Sequence, residues 1–309
     1  MTANIIINTS KILTLDLDSE SSSDLAPCVL KWRRKNLVIE KAADDEESFV
    51  PAITRKQWVA SCLRNSWVKR ICIDRKLGEA NIKLWADIAK ETKKPVFLRI
   101  PSDAKLPHFE KGKLWSVKRC LDWLAAAGLL LALSPIILSV SLLIKIFTPG
   151  PIFFTQWRVG KRSKLFKIYK FRTMAVDAEA QHHQVMGKQD GLHKLEDDPR
   201  ITPLGKWLRK YSIDELPQLF NVLRGEMSLV GPRPWALYDA LRLEEADKTR
   251  LNAVPGITGA WQVMGRSQIL DLKAVTKWDR EYLREWSIFK DLKILLLTIP
   301  KVISGFGAY

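Results

Sequence analysis

Apolar positions near the start of the chain alternate weakly around Ile5, Ile7, Ile12, Leu15 and Leu17, a period of two that suits a strand pair. Ser19–Asp24 reads as a loop, Val29–Glu40 as one basic, strand-like piece, and Lys41–Ser48 as an acidic, solvated run. From Pro51 the periodicity strengthens. It predicts a helix around Arg55–Asn65, a strand over Val68–Asp74, a helix around Glu79–Thr92 and a strand over Pro95–Pro101. Strand, helix and strand at this spacing predict a small α/β unit with a right-handed crossover. The unit has no Gly-rich phosphate loop, so no nucleotide is assigned to it and its expected role is structural or regulatory.

A Pro- and Lys-containing linker is expected over residues 102–117, dividing the chain into units at 1–117 and 118–309. The longest apolar stretch follows, Leu121–Phe147. About 20 apolar residues cross a bilayer, so a simple spanning helix is the first reading. Ser134-Pro135 at its midpoint argues against it, because proline removes a backbone donor and clashes with the preceding turn. Each arm is then only about 18–20 Å long, short of a hydrocarbon core of about 30 Å. Lys111, Lys113, Lys118 and Arg119 precede the stretch, and Lys145, Arg158, Lys161, Arg162 and Lys164 follow it. Basic flanks on both sides suit a segment whose two ends stay in the cytoplasm. The expected element is a re-entrant helix-break-helix over 120–147, with the Ser134 hydroxyl satisfying a carbonyl freed at the break.

Beyond a turn at Pro149–Pro151, Ile152–Gly160 and Leu165–Met174 predict a basic β-hairpin, and 175–198 a polar, mobile helix and loop. Helices are predicted around Trp207–Arg209, over Trp235–Arg250 and over Asp271–Glu285, with a turn at Pro255–Gly259. Ser287–Ser304 is apolar but interrupted by Lys290, Asp291, Lys293 and Lys301, which suits a helix lying in a membrane interface.

The formal charge of this 309-residue chain is +16, from 50 Lys and Arg against 34 Asp and Glu. That excess predicts an anionic partner without naming it: nucleic acid, an anionic bilayer or a phosphorylated substrate. No nucleic-acid reading motif is present, and nucleic acid would leave Leu121–Phe147 unexplained. A non-catalytic scaffold on anionic lipid would explain the charge and the apolar stretch. Cys28, Cys62, Cys72 and Cys120 form no CxxC pair and have no His at metal-ligand spacing, so reduced structural thiols in a cytosolic setting are expected. Met1–Ser23 lacks a basic region followed by an apolar one, so no secretory signal is read and the N-terminus is expected to stay in the cytoplasm.

Candidate chemistry concentrates in Arg209–Pro234. Pro217 suits the first turn of a helix running to about Leu223 and closing at Gly225. Asp214 and Glu215 would then stand at the positive end of its dipole, which favours the ionised carboxylate that attack on phosphorus requires. Ser212-Ile-Asp-Glu215 also matches the S-x-x-E capping box, which explains Glu215 by helix geometry alone. The surrounding Arg200, Arg209, Lys210 and Arg233, the last held between Pro232 and Pro234, weigh for a phosphoryl site, since guanidinium groups match phosphate oxygens.

These residues, taken with others in order along the chain, resemble the bacterial sugar transferases, the monotopic or small phosphoglycosyl transferases. The matching pieces include Lys118-Arg119 with Asp122, Ser134-Pro135, Gly150–Gly160, Lys170–Met174, Pro199–Thr202, Ser212–Gln218, Asn221–Pro234, and Pro255–Gly259 with Gly265-Arg266. The resemblance covers roughly 118–300. For that region it implies a re-entrant membrane helix and a mostly helical transferase domain with a short β-hairpin, so that with the small α/β domain read from periodicity the expected fold class is α/β + α.

It also implies a reaction: a phospho-sugar passes from a nucleotide diphosphate sugar to polyprenyl phosphate, with nucleoside monophosphate released. By the family's pattern Asp214 is the nucleophile, and Glu215 holds Mg²⁺ or assists a proton. Arg233, Lys170, Arg172, Arg200 and Arg209 match phosphate-contact positions. The setting implied is the cytoplasmic face of the inner membrane, with the bilayer as partner and a homo-oligomer as a compatible state. Leu121 and Glu226 depart mildly from the usual Phe and Asp, and an α/β unit replaces the four transmembrane helices that open many long relatives. The layout is similar to cyanobacterial exopolysaccharide proteins, including heterocyst-envelope ones.

Overall fold

The computed structural model describes residues 28–41, 56–99, 112–176, 178, 181, 198–243, 250–265 and 271–305. The strand pair expected over 3–17, the loop at Ser19–Asp24, nearly all of Lys41–Ser48, most of 175–198, and Arg266 lie outside the described residues.

Val29–Glu40 is a hairpin of two strands, β1 (Cys28–Arg33) and β2 (Asn36–Lys41), and not a single piece. Its turn puts Arg34 at φ 57°, a left-handed position that usually falls to Gly or Asn. Next come α1 (Lys56–Arg64), β3 (Arg70–Asp74), α2 (Gly78–Glu91) and β4 (Val96–Arg99), close to the boundaries read from periodicity. The sheet order is β1-β2-β3-β4, with β2, β3 and β4 parallel. Leu37, Ile39, Ile71 and Ile73 are buried, as is Trp85 from α2.

The linker ends earlier than expected. Helix α3 starts at Lys113 and runs to Ala132, and α4 runs from Ser134 to Phe147. Leu133 intervenes, the two axes bend by 61°, and the Ser134 hydroxyl donates to Leu131 O at 2.8 Å. No single helix among the described residues is long and apolar enough to cross a membrane, and this pair passes that test only when taken together. Both helices expose large apolar side chains, including Leu124, Leu131, Leu138 and Phe147.

Strands β5 (Phe153–Val159) and β6 (Leu165–Phe171) form the expected hairpin. Helix α5 (Pro203–Lys210) begins at Thr202, whose hydroxyl accepts from Gly205 N, and α6 (Gln218–Leu223) begins after Pro217. Then follow β7 (Ser228–Val230), β8 (Trp235–Ala236), α7 (Leu237–Leu241), β9 (Gly256–Thr258), α8 (Ala260–Met264), α9 (Leu272–Arg284) and α10 (Ile288–Ser304).

Two expectations are corrected here. The described part of Trp235–Arg250 opens on a two-residue strand against β5 before a short helix, and Pro255–Gly259 contains a strand, β9, parallel to β7. The parallel pair meets through glycines: a Cβ on Gly256 would lie 2.1 Å from Gly231 N. No side chain fits, so the glycines mark close backbone approach rather than a bend.

The two units share one apolar cluster, in which Trp85 and Ile88 join Trp157, Leu165, Trp235 and Trp261. Asp87 of α2 also binds Lys167 (2.7 Å) and accepts from the Trp157 indole (3.2 Å). Buried charges also tie α3 to α9, α10 and β7. Lys118 pairs with Asp291 at 2.7 Å, the Tyr282 hydroxyl donates to Asp291 at 2.7 Å, and Asp122 accepts from the Ser228 hydroxyl at 2.7 Å.

Candidate active site

Ser212 takes a left-handed backbone (φ 52°) and opens a single 3-10 turn, Ile213–Glu215. Its side chain makes no capping bond to that turn, so the serine half of the S-x-x-E box is not formed. The Glu215 carboxylate reaches Lys170 Nζ at 2.7 Å and lies 3.5 Å from the Arg233 guanidinium. Asp214 is only 7% exposed, with Lys170 Nζ 3.9 Å from its Oδ2.

Burial drives the Asp214 carboxyl above the ordinary Asp value. Lys170 opposes that rise, Glu215 adds to it, and Arg209 and Arg233 oppose it more weakly. Asp214 stands in this separate turn and not in the first turn of α6, and desolvation is the largest influence on its carboxyl. Burial equally holds Lys170 below its ordinary value, against the pull of both carboxylates.

The frame around this pair follows from nearby residues. Asn221 of α6 is fully buried: its Oδ1 accepts from Tyr169 N (3.1 Å) and its Nδ2 donates to Lys167 O (2.8 Å) and to Glu226 (2.7 Å). These bonds lock α6 to β6 and so fix where Lys170 stands. A Cβ on Gly205 would lie 2.0 Å from Thr173 O, so glycine lets α5 press onto the chain leaving β6. There Arg209 Nε donates to the Thr173 hydroxyl at 2.9 Å. Arg233 is braced through its own carbonyl, which accepts from Arg250 Nη2 at 2.9 Å; Arg250 in turn pairs with buried Asp279 and lies over the Trp235 ring.

Of the charged residues singled out from the sequence, Asp214, Glu215, Lys170, Arg172, Arg200, Arg209 and Arg233 line one cavity of about 910 Å³, whereas Lys210, whose ammonium lies over the Tyr211 ring, does not. Their engagements differ. Lys170 and Arg233 contact the acidic pair directly, and Arg209 acts on Asp214 through its charge. Arg200 binds Asp198 (2.6 Å and 2.8 Å) and Ala178 O (3.0 Å). Arg172 donates to the carbonyls of Thr148 and Pro149, which ties the exit of α4 to the end of β6. Leu129, Leu133 and Ile136, around the helix break, form an apolar edge of the same cavity.

Arg158, Tyr238 and Asp239 also line the cavity. Sequence reasoning missed them. In sequence Arg158 belongs to a basic hairpin and Tyr238-Asp239 to a helical period; only their place on the cavity wall distinguishes them. Among the described residues no group of three or more His, Cys, Asp or Glu side chains is arranged to hold a metal ion. Asp214 and Glu215 nonetheless fit the usual mode for Mg²⁺, which binds one or two carboxylates and completes its shell with substrate phosphates and water.

Comparison with known proteins defines the class. The family model for bacterial sugar transferases matches residues 113–305, and the chain belongs to that family. It is 50% identical over 165 residues to galactosyl transferase CpsE of Streptococcus agalactiae, covering 52% of this chain and 36% of that one. It is 41% identical over 200 residues to the exopolysaccharide production protein ExoY of Sinorhizobium fredii, covering 62% and 88%. It is 39% identical over 200 residues to the UDP-glucose:undecaprenyl-phosphate glucose-1-phosphate transferase of Escherichia coli K12, covering 62% and 41%. The chain thus spans most of ExoY but well under half of the other two.

Proposed function

We propose that this protein transfers a sugar phosphate from a UDP-sugar to a polyprenyl phosphate, releasing UMP and starting an exopolysaccharide. The observation that carries the reading is the pair of buried Asp214 and half-buried Glu215 facing Lys170 and Arg233 in a cavity edged by the α3–α4 break. Relatives named as undecaprenyl-phosphate glucose and galactose phosphotransferases support the choice of acceptor and transferred group.

In this reading an Asp214 carboxylate oxygen attacks the sugar-bearing phosphorus of the donor. The new O–P bond forms as the bond to UMP breaks, leaving a phosphosugar on Asp214. A phosphate oxygen of the polyprenyl acceptor then attacks the same phosphorus, and the Asp214 carboxylate departs. Lys170, Arg233 and Arg209 are already cationic and in place, so they offset developing charge without reorganising. Asp214 and Glu215 would hold Mg²⁺ together with the diphosphate, and the ion, when bound, further offsets charge on the phosphoryl oxygens.

The acceptor's phosphate sits at the membrane surface, and a bent pair lodged in the bilayer would hold the cavity there. Helix α4 has 14 residues, about 21 Å, too short for a core of about 30 Å. In this reading the pair, bent by 61°, enters one leaflet and returns, and the protein is monotopic on the cytoplasmic face. Exposed Phe289, Leu296 and Ile303 on α10 add a second apolar surface for the interface.

Asp214→Asn should lower UMP release from UDP-sugar and polyprenyl phosphate by at least about 10³-fold, with the protein still in the membrane fraction. Activity near wild type in that variant would remove Asp214 as nucleophile. Tags at the two ends should both be reached only from the cytoplasmic side; labelling from opposite sides would replace the re-entrant pair with a spanning one.

A further inference from the structure

Past Arg233, the cavity wall carries polar groups that phosphoryl transfer leaves unused. Gln156 and Arg158 come from β5, and Tyr238 and Asp239 from α7. Asp239 is 6% exposed, and its buried Oδ1 accepts no hydrogen bond; the Arg242 guanidinium is 4.0 Å away, beyond hydrogen-bond reach. Arg158 Nε is likewise buried without an acceptor, while its Nη atoms reach Pro234 O (3.3 Å) and Gln156 Oε1 (2.5 Å).

Buried polar atoms are normally paired, because an unmet donor or acceptor forfeits its water without compensation. An unmet acceptor and an unmet donor on one cavity wall point to a ligand that supplies both partners. Arg158 senses Glu215 and Arg233 as well as Tyr238 and Asp239, so this patch adjoins the acidic pair.

The ligand's chemistry follows from the donor set. Asp239 repels phosphate, so the group beside it is uncharged. A carboxylate only accepts, and its two oxygens suit two hydroxyl donors on neighbouring carbons. Arg158 Nε–H then serves an oxygen of the same ring. We propose that Asp239, with Arg158 and Tyr238, forms the subsite that reads a vicinal diol of the nucleotide sugar, an inference that rests on the nucleotide-sugar reading above. Burial pushes the Asp239 carboxyl up to about 6, so at neutral pH it is mostly a carboxylate held at a cost that two hydroxyl donors would offset.

A nucleotide sugar carries such a diol on its hexose and on its ribose, and binding measurements separate the two. The full chain in lipid nanodiscs is titrated calorimetrically with UDP-glucose, UDP and 2′-deoxy-UDP, as wild type, Asp239→Asn and Tyr238→Phe. If the hexose is read, Asp239→Asn weakens UDP-glucose by about tenfold or more, the scale of a lost hydrogen bond to a charged group, and leaves UDP unchanged. If the ribose is read, UDP-glucose and UDP weaken together while 2′-deoxy-UDP holds.

Tyr238→Phe should weaken the same ligands to a smaller degree, which keeps the test open should Asp239→Asn fail a thermal-melting control. Unchanged binding of all three ligands in folded variants, or equal weakening of UDP and 2′-deoxy-UDP, overturns the subsite. A wild-type chain that binds neither UDP-glucose nor UDP removes the nucleotide-sugar reading itself.

Discussion

The N-terminal sheet and the sugar-transferase region treat charge in opposite ways. Among the described residues of the sheet unit the only buried polar side chain is Thr92; its charges sit outside in pairs such as Glu40 with Lys31 and Lys56 with Glu91. The transferase region buries Lys118, Asp122, Arg200, Asp214, Arg250, Asp279 and Asp291, among others. Removing ions from water costs several kcal/mol each unless partners are well placed, on the order of what a hydrophobic replacement would avoid. The first unit is thus built for stability. The second accepts a weaker balance to hold charged groups at set positions around a cavity.

Breaking a buried pair should have the largest effect. Arg250→Ala leaves Asp279 unpaired at 2% exposure and should cost about 3–5 kcal/mol in chemical denaturation. Replacing both residues together with Met and Leu should cost far less. A double variant as unstable as the single one would mean that the pair contributes more than geometry.

Next in size is Asp239. Its folded value of about 6 lies above the ordinary 3.8, so the folded state binds the proton more tightly and stability falls as pH rises from about 4 to about 6. Above that window the whole penalty is present, about 3 kcal/mol. Asp239→Asn should therefore stabilise the protein at neutral pH by up to that amount and flatten this part of its stability–pH curve. Such a gain, together with weaker donor binding, would display the exchange of stability for position in one residue. The smallest effect belongs to the sheet: Ile71→Val, in a fully buried apolar site, should cost about 0.5–1.5 kcal/mol and leave transfer activity unchanged.

Much of the sheet unit was legible because α1, β3, α2 and β4 carry their own period and recognisable ends. The hairpin of β1 and β2 was not, since Arg34 makes the turn without a glycine or asparagine to announce it. Strands β7 and β9 were also hidden. Each has three residues, β7 is buried throughout, and the two pair across a long sequence gap, so neither displays an alternating pattern. In the site, the acidic pair and its cations were legible as a motif, and the structure gathers them around one cavity. Arg158 and Asp239 were not, because unmet hydrogen bonding is a property of the packed molecule and has no signature in spacing.

The ties between α3 and the end of the chain also bear on how the protein is made. Lys118 and Asp122 leave the ribosome early, but Ser228 follows Asp122 by 106 residues, and Asp291, the partner of Lys118, arrives later still. Non-local pairings of this kind close late, after the loops between them have formed. Until those partners arrive, the base of the bent pair has only its local ion pairs, Lys118 and Arg119 with Asp122, at 3.5 Å and 3.3 Å. The frame at the base of α3 is complete once α10 reaches Lys118, so two helices far apart in the chain hold one another in place.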